Sequence, residues 1–104
     1  KLHFGDARIH YEVWIQKRKG EIELGLHFED EPGVNASYLA RLSDHSRTIQ
    51  SALGPTVRTE SWVKSWARVH EIVPLEPITD DFLIELSFKL SRMMRFLEPL
   101  LRAM

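Results

Sequence analysis

The chain contains no cysteine, which excludes disulfide bonds and thiolate chemistry. It also lacks an apolar run of about 18 residues, the length that a membrane-spanning helix needs. Its N-terminus shows no apolar signal-peptide segment. We therefore expect a cytoplasmic protein without membrane contact.

A basic excess is also missing, because 14 Lys and Arg residues stand against 15 Asp and Glu residues, giving a formal net charge of −1. Duplex-binding domains usually carry a clear positive excess, since phosphate contacts supply much of their affinity. Nucleic acid is therefore not the favoured partner, and any contact with it would depend on a local basic patch.

Recognisable catalytic motifs are absent as well. The sequence has no HExxH motif, no glycine-rich phosphate loop and no Ser-His-Asp signature. A restriction-type nuclease needs a strand acid followed by Glu-x-Lys to bind Mg²⁺. Residues 16–19 lack the acid, and Glu21-x-Glu23 lacks the lysine. We expect no cofactor, and the sequence favours a non-catalytic role without deciding whether the protein is an enzyme.

The chain length of 104 residues and the apolar fraction of 43% suit one soluble domain spanning residues 1–104. The first residue is Lys1 rather than Met. We therefore expect the chain to be a segment of a longer protein, whose other parts would bear on its function.

Residues 8–16 and 21–29 alternate apolar and polar side chains, the pattern of strands with one buried and one solvated face. The apolar positions are Ile9, Tyr11, Val13 and Ile15 in the first segment and Ile22, Leu24, Leu26 and Phe28 in the second. Between them, Gly20 can adopt the positive φ of a tight turn. The pattern predicts a β-hairpin, and its register stays open between a two-residue and a four-residue loop.

Residues 35–53 show the 3.6-residue apolar spacing of a helix. Asn35 is a suitable N-cap, and Gly54 with Pro55 ends the helix. His45 falls on the apolar side, where we expect it to be partly buried rather than catalytic.

Residues 56–62 and 65–73 are rich in strand-forming side chains, but the second segment does not alternate cleanly. Its buried side is therefore undetermined. Thr79 then caps a final helix. The order ββαββα predicts an α+β fold, with an antiparallel sheet of about four strands and both helices on one face.

The last helix, residues 79–103, carries more apolar side chains than one packing surface needs. Ile84, Phe88 and Phe96 lie about 100° or more from the centre of its main apolar stripe. The surplus predicts a contact surface for a homodimer partner or a neighbouring domain, through Ile84, Phe88, Met93 and Phe96. Pro99 predicts a kink or break after Phe96.

The polar side of the hairpin carries the chemically most versatile side chains. His10 lies directly or diagonally opposite His27 in either register, with Glu12 and Glu29 nearby. Two imidazoles and two carboxylates are ligands for a divalent metal. The alternative is a solvated face on which these residues are simply tolerated, since no metal-binding motif supports the spacing.

The remaining candidates point to nucleic acid. Lys17, Arg18 and Lys19 form a basic turn that could touch phosphate, and Trp14 could stack on a base. The alternatives are a solvated hairpin tip and a tryptophan covered by another element.

Four short stretches resemble an uncharacterised prokaryotic family. They are residues 35–54, 57–60, 67–69 and 96–100, which share its helix ending in Ile-x-x-x-Leu-Gly, its strand with Glu, its strand with Arg-Val and its terminal Phe-x-x-Pro. The members are C-terminal domains of unknown function, some associated with restriction and defence proteins. The resemblance spans about residues 8–101, departs in a shorter loop before the last helix, and implies the ββαββα order without a catalytic residue.

Three functions follow from these patterns. The first is a non-catalytic binding or oligomerisation module that uses the last helix. The second is an accessory nucleic-acid-binding domain of a defence protein, and the third is a metal-dependent enzyme built on His10 and His27.

Overall fold

The alternating hairpin forms the centre of an antiparallel sheet. The computed structural model describes the backbone of residues 2–5 and the backbone and side chains of residues 7–103. The strands in this part of the chain are β1 (Leu2–Gly5), β2 (Ile9–Gln16), β3 (Glu21–Phe28), β4 (Arg58–Ser61) and β5 (Ala67–Pro74). The helices are α1 (Pro32–Ser43), α2 (Ser46–Leu53) and α3 (Asp80–Arg102), with short 3₁₀ turns at Lys17–Lys19 and Val63–Ser65.

The strand order across the sheet is β1-β2-β3-β5-β4, and every neighbouring pair is antiparallel. Within the hairpin the four-residue connection at 17–20 sets the register, which places His10 directly opposite His27. Gly20 adopts a φ of 65°, as the turn requires. The register that the sequence left open is therefore the one that pairs the two imidazoles.

The helices pack on the face of the sheet that carries the apolar side chains. The core here contains Tyr11, Leu26, Phe28, Leu42, Ile49, Val57, Ala67, Val69, Met93 and Leu97, next to a smaller group of Ile22, Leu24, Phe82 and Leu86. Both groups combine strand residues with helix residues, so the predicted packing of helices on the apolar side is confirmed.

The first predicted helix is two helices. It begins at Pro32 rather than Asn35, and the chain turns at Asp44 and His45 before α2 starts. Ser, Asp and His are weak helix formers, and the turn lets both Leu42 and Ile49 reach the core. His45 is consequently exposed, contrary to its expected partial burial.

Asn35 has a different role from the predicted cap. It is buried inside α1, accepts a hydrogen bond from the backbone N–H of Asp30 at 2.9 Å and donates to the Ser65 carbonyl at 3.1 Å. It thereby ties the start of α1 to the connection between β4 and β5.

The last helix follows the prediction at its start and departs from it at its end. Thr79 Oγ1 accepts a hydrogen bond from the Phe82 N–H at 3.2 Å, as a cap does. The helix continues without a break through Pro99 to Arg102. No helix in the described part of the chain is both long and apolar enough to cross a bilayer.

The predicted α+β class is confirmed, and the predicted element order is refined. The described chain has an additional strand before the hairpin and a divided first helix, so ββαββα becomes βββααββα. The prediction of a solvated second sheet face is wrong, because His10, Glu12, Glu23 and His27 are all buried there.

The close approach of β3 and β5 provides a test of this packing. A Cβ at Gly25 would lie 2.8 Å from the Cβ of His70 and 3.0 Å from the Val69 carbonyl oxygen. We expect Gly25→Ala to lower the free energy of unfolding by about 1–3 kcal/mol, because the strands would have to separate. Urea unfolding measures this, and Gly33→Ala, where a Cβ meets nothing within 4 Å, is the matched control. Equal stability of the two variants would contradict the close approach.

Candidate functional site

The polar face, which is the side of the sheet opposite the helices, holds ionisable groups that are withdrawn from solvent. Its side chains come from alternate positions of β2, β3 and β5, the positions between the core residues. His10, Glu12, Glu23 and His27 are each at most 1% exposed. Buried ionisable groups need partners to offset their lost hydration, and the polar face supplies them in two connected groups.

The first group is the histidine–glutamate cluster, made of His10, Glu12, His27 and Glu29. His10 Nε2 lies 2.8 Å from Glu12 Oε1 and 3.9 Å from Glu29 Oε2. His27 Nδ1 lies 3.2 Å from Glu29 Oε2 and 3.6 Å from Glu12 Oε2. One nitrogen or oxygen from each residue lies within 4.8 Å of those of the other three. The structure thus brings together all four residues that the sequence suggested as metal ligands.

The second group is the Glu23 network, made of Glu23, Glu60, Arg68 and His70. Glu23 Oε1 lies 2.9 Å from His27 Nε2, 3.1 Å from Arg68 Nη1 and 3.4 Å from His70 Nδ1. Glu60 Oε1 accepts from Arg68 Nη2 at 3.1 Å and lies 2.6 Å from His70 Nε2. His27 therefore links the two groups, with one ring nitrogen facing each.

Trp62 covers part of the polar face. Its ring meets the His27 ring edge-on at a centroid distance of 4.9 Å, and the Arg68 guanidinium lies 4.6 Å from its centroid. The following turn has positive φ at Lys64 and Ser65 and is closed by the Trp62 N–H, which donates to the Trp66 carbonyl at 2.7 Å. The contact between the Trp62 and His27 rings accounts for part of the burial of His27.

The carboxyl groups of the Glu23 network are held in the ionised form. Burial by itself would raise the pKa of Glu23, but hydrogen bonds from His27 and His70 and the charges of His27 and Arg68 outweigh it and lower that pKa below the ordinary 4.5. The pKa of Glu60 is lowered in the same way, with His70 and Arg68 outweighing its own desolvation.

His27 shifts in the opposite direction. Burial would lower its pKa, but the hydrogen bond to Glu23 and the charges of Glu23 and Glu12 outweigh burial and raise the pKa above 6.5. The imidazolium form is therefore stabilised between carboxylates on both of its sides.

The candidate contact residues of the last helix fall into two environments. Phe88 is 68% exposed and Ile84 is 52% exposed, both on the outer side of α3. Phe96 is half-buried beside α2, and Met93 is buried in the core at 3% exposure. A surface on the isolated domain can therefore include Ile84 and Phe88 but not Met93.

The basic turn and Trp14 lie near one another. Lys17, Arg18 and Lys19 form an exposed 3₁₀ turn at the hairpin tip. Trp14 and Lys19 line a cleft of about 550 Å³ together with Trp62, Arg68 and His70.

Sequence reasoning missed most of the Glu23 network. The alternation of β3 did place Glu23 on the same side as His27, which was a usable signal. Arg68 and His70 were not assigned to a face, because β5 does not alternate cleanly. Glu60 joins them only through the pairing of β4 with β5, opposite Arg68.

No protein-family model, curated protein or solved structure matches this chain. The resemblance to a defence-associated family stays a prediction, and the function has to be argued from the geometry.

The pKa directions predict how stability depends on pH. Lowered carboxyl pKa values contribute stability that is present above about pH 4.5 and lost as the pH falls through the folded values. The raised pKa of His27 contributes stability that is fully present below about pH 6.5 and lost as the pH rises through its folded value. We expect the free energy of unfolding, from urea titrations with EDTA, to be largest between these limits.

Glu23→Gln should lower that maximum by about 3 kcal/mol, because it leaves buried cationic partners without their carboxylate. It should also flatten both sides of the pH profile. Glu76→Gln, at an exposed loop position, is the control. A Glu23→Gln profile parallel to that of the wild type would contradict the assignment.

Proposed function

We propose that this domain is a non-catalytic self-association module that pairs with a second copy through the outer side of α3. The observation that carries the proposal is the exposure of Phe88, at 68%, with Ile84 at 52% one turn before it. Large apolar side chains grouped on one surface favour burial against a partner.

The charges around Phe88 favour a second copy of the chain as that partner. By helical spacing Asp81, Ile84, Phe88 and Arg95 share the outer side of α3, with Arg95 at its border with α2, while Arg92 donates to the Ala52 carbonyl of α2 at 2.7 Å. Asp81 and Arg95 each lie seven residues from Phe88, or about 10 Å along the axis. In an antiparallel pair of helices with a two-fold axis at Phe88, Asp81 of each copy would face Arg95 of the other.

Such an arrangement is self-complementary, as a two-fold interface must be. In the described part of the chain, neither Asp81 nor Arg95 forms an ion pair, so both are available to a partner. Exposed ion pairs contribute only about 0.2–1 kcal/mol each. The buried phenylalanines would therefore supply most of the affinity and the charges would set the antiparallel orientation.

Phe88→Asp tests the apolar part of this interface. Sedimentation equilibrium over a wide concentration range should show a wild-type dimer that the variant converts to a folded monomer, since two carboxylates would meet at the two-fold axis. Val63→Asp is the control, because Val63 is 55% exposed but lines the cleft on the opposite face of the sheet. A wild type that remains monomeric over the whole concentration range would overturn the proposal.

The orientation of the pair has its own test. Asp81→Arg should weaken dimerisation several-fold, because two cations would then face each other. The double variant Asp81→Arg/Arg95→Asp should restore it, because the exchanged charges again oppose one another. A double variant weaker than the single variant would exclude the antiparallel register while leaving the apolar contact intact.

A second candidate function rests on the cleft beside the basic turn. It combines the tryptophan rings of Trp14 and Trp62 with Lys19 and Arg68, the side-chain types that stack on bases and contact phosphate. Glu21 in the same lining and the net charge of −1 oppose strong binding of a polyanion. This makes single-stranded nucleic acid the weaker of the two proposals.

Fluorescence anisotropy with a labelled single-stranded oligonucleotide tests this second function. We expect binding that weakens with salt and weakens further, by about tenfold, in Lys17→Glu/Lys19→Glu. Arg41→Glu/Arg47→Glu, at exposed positions of α1 and α2, changes the net charge by the same amount and is the matched charge control. Equal binding by both variants would remove the basic turn from consideration.

A further inference from the structure

We propose that His10, Glu12, His27 and Glu29 form a four-coordinate site for a divalent transition-metal ion of the Zn²⁺ type. The site lies on the polar face, on the other side of the sheet from α3. It is independent of the proposed self-association, and each proposal can fail without the other.

The spacing of the ligand atoms suits such an ion. The separations between His nitrogens and Glu oxygens range from 2.8 to 3.9 Å, with Glu12 presenting one oxygen to His10 and the other to His27. In a tetrahedral centre with bonds of about 2.1 Å, neighbouring ligand atoms are about 3.4 Å apart. One ligand atom from each residue lies within 4.8 Å of those of the other three, so the atoms that are farthest apart would move closer together to bind the ion.

The two strands hold the ligands in register. His10 and His27 are directly opposite residues on β2 and β3, and their ring centroids are 5.8 Å apart. Glu12 and Glu29 each follow a histidine at the second position along the chain. Because alternate strand residues point to the same side, all four side chains extend from the same face of the hairpin.

A carboxylate outside the site orients one of the ligands. His27 Nε2 lies 2.9 Å from Glu23 Oε1, while its Nδ1 faces Glu12 and Glu29. Histidine ligands of metals commonly donate the second ring N–H to a carboxylate, which fixes the tautomer and raises ligand basicity. Glu23 is itself fixed by Arg68 at 3.1 Å, so this support is rigid.

The burial of the site indicates a structural rather than a catalytic ion. His10, Glu12 and His27 have side-chain exposures of 0%, and that of Glu29 is 13%. Four protein ligands would also complete a tetrahedral shell and leave no position for a substrate. The geometry therefore favours a metal that stabilises the hairpin over the metal-dependent enzyme considered from the sequence.

Titration of chelator-treated protein with Zn²⁺ tests the proposal. Isothermal calorimetry and native mass spectrometry should show one ion per chain that EDTA removes. The absence of stoichiometric binding would mean that the histidine–glutamate hydrogen bonds alone satisfy these buried groups, and it would overturn the proposal.

Substitutions of single ligands test whether the ion binds at the histidine–glutamate cluster. His10→Asn and Glu29→Gln each remove one ligand and should weaken binding by at least about 100-fold, more than loss of an outer-shell partner does. Glu23→Gln should weaken it by about 10–100-fold through His27. His45→Asn, at an exposed histidine outside the site, should bind as the wild type does. Wild-type affinity in the ligand variants would place the metal elsewhere and overturn the site.

A measurement on the wild type keeps the test decisive if a variant does not fold. Nitrogen-15 NMR of the histidine rings should show metal-induced shifts at Nε2 of His10 and Nδ1 of His27, with Nε2 of His27 remaining protonated. Shifts confined to His45 or His70 would contradict the proposed ligand set.

Discussion

The burial of charge on the polar face is the constraint on which the rest of this structure depends. Glu12, Glu23 and His27 lie beneath the surface of the sheet, where an unpaired charge would cost several kcal/mol. Each is tolerated because a group of opposite charge lies within hydrogen-bonding distance or close to it. Glu23 illustrates this best, since three cationic or potentially cationic side chains from two strands converge on one of its oxygens.

Several local features follow from that constraint. Gly25 lets β5 approach β3 closely, which brings His70 near Glu23. Trp62, directly after β4, packs against the ring of His27 and the guanidinium of Arg68, which shields part of this face from water. Gly25 and Trp62 both contribute to the burial of charged side chains on the polar face. Neither contribution can be recognised before the pairing of the strands is known.

The sequence predicts the apolar half of the molecule better than the polar half. Alternation in β2 and β3 and the helical spacing of Leu42, Ile49 and Leu97 identify the core, because burial of apolar side chains produces a periodic signal. No such signal distinguishes a solvated glutamate from a buried one. Glu12 and Glu23 each contact a histidine of their own strand, but the further partners His27 of Glu12 and Arg68 and His70 of Glu23 lie on other strands. Those further contacts depend on strand order rather than on local pattern.

The break between α1 and α2 also depends on tertiary contacts that a local sequence pattern does not reveal. The periodicity of residues 35–53 was continuous enough to predict one helix, yet tertiary packing favoured a turn at His45. Weak helix formers allow such a turn, but the benefit, burial of both Leu42 and Ile49, comes from the sheet below.

The two faces of β3 together explain why one strand register is strongly preferred. Leu24 and Leu26 contact the helices while Glu23 and His27 alternate with them on the other side. A slip of one residue would move Glu23 into the apolar core and expose both leucines to the polar face. Replacing a buried ionic network by apolar residues is often neutral or stabilising in other proteins. A slip by an odd number of residues would bury these charges among apolar side chains, so the network contributes to the specificity of the register.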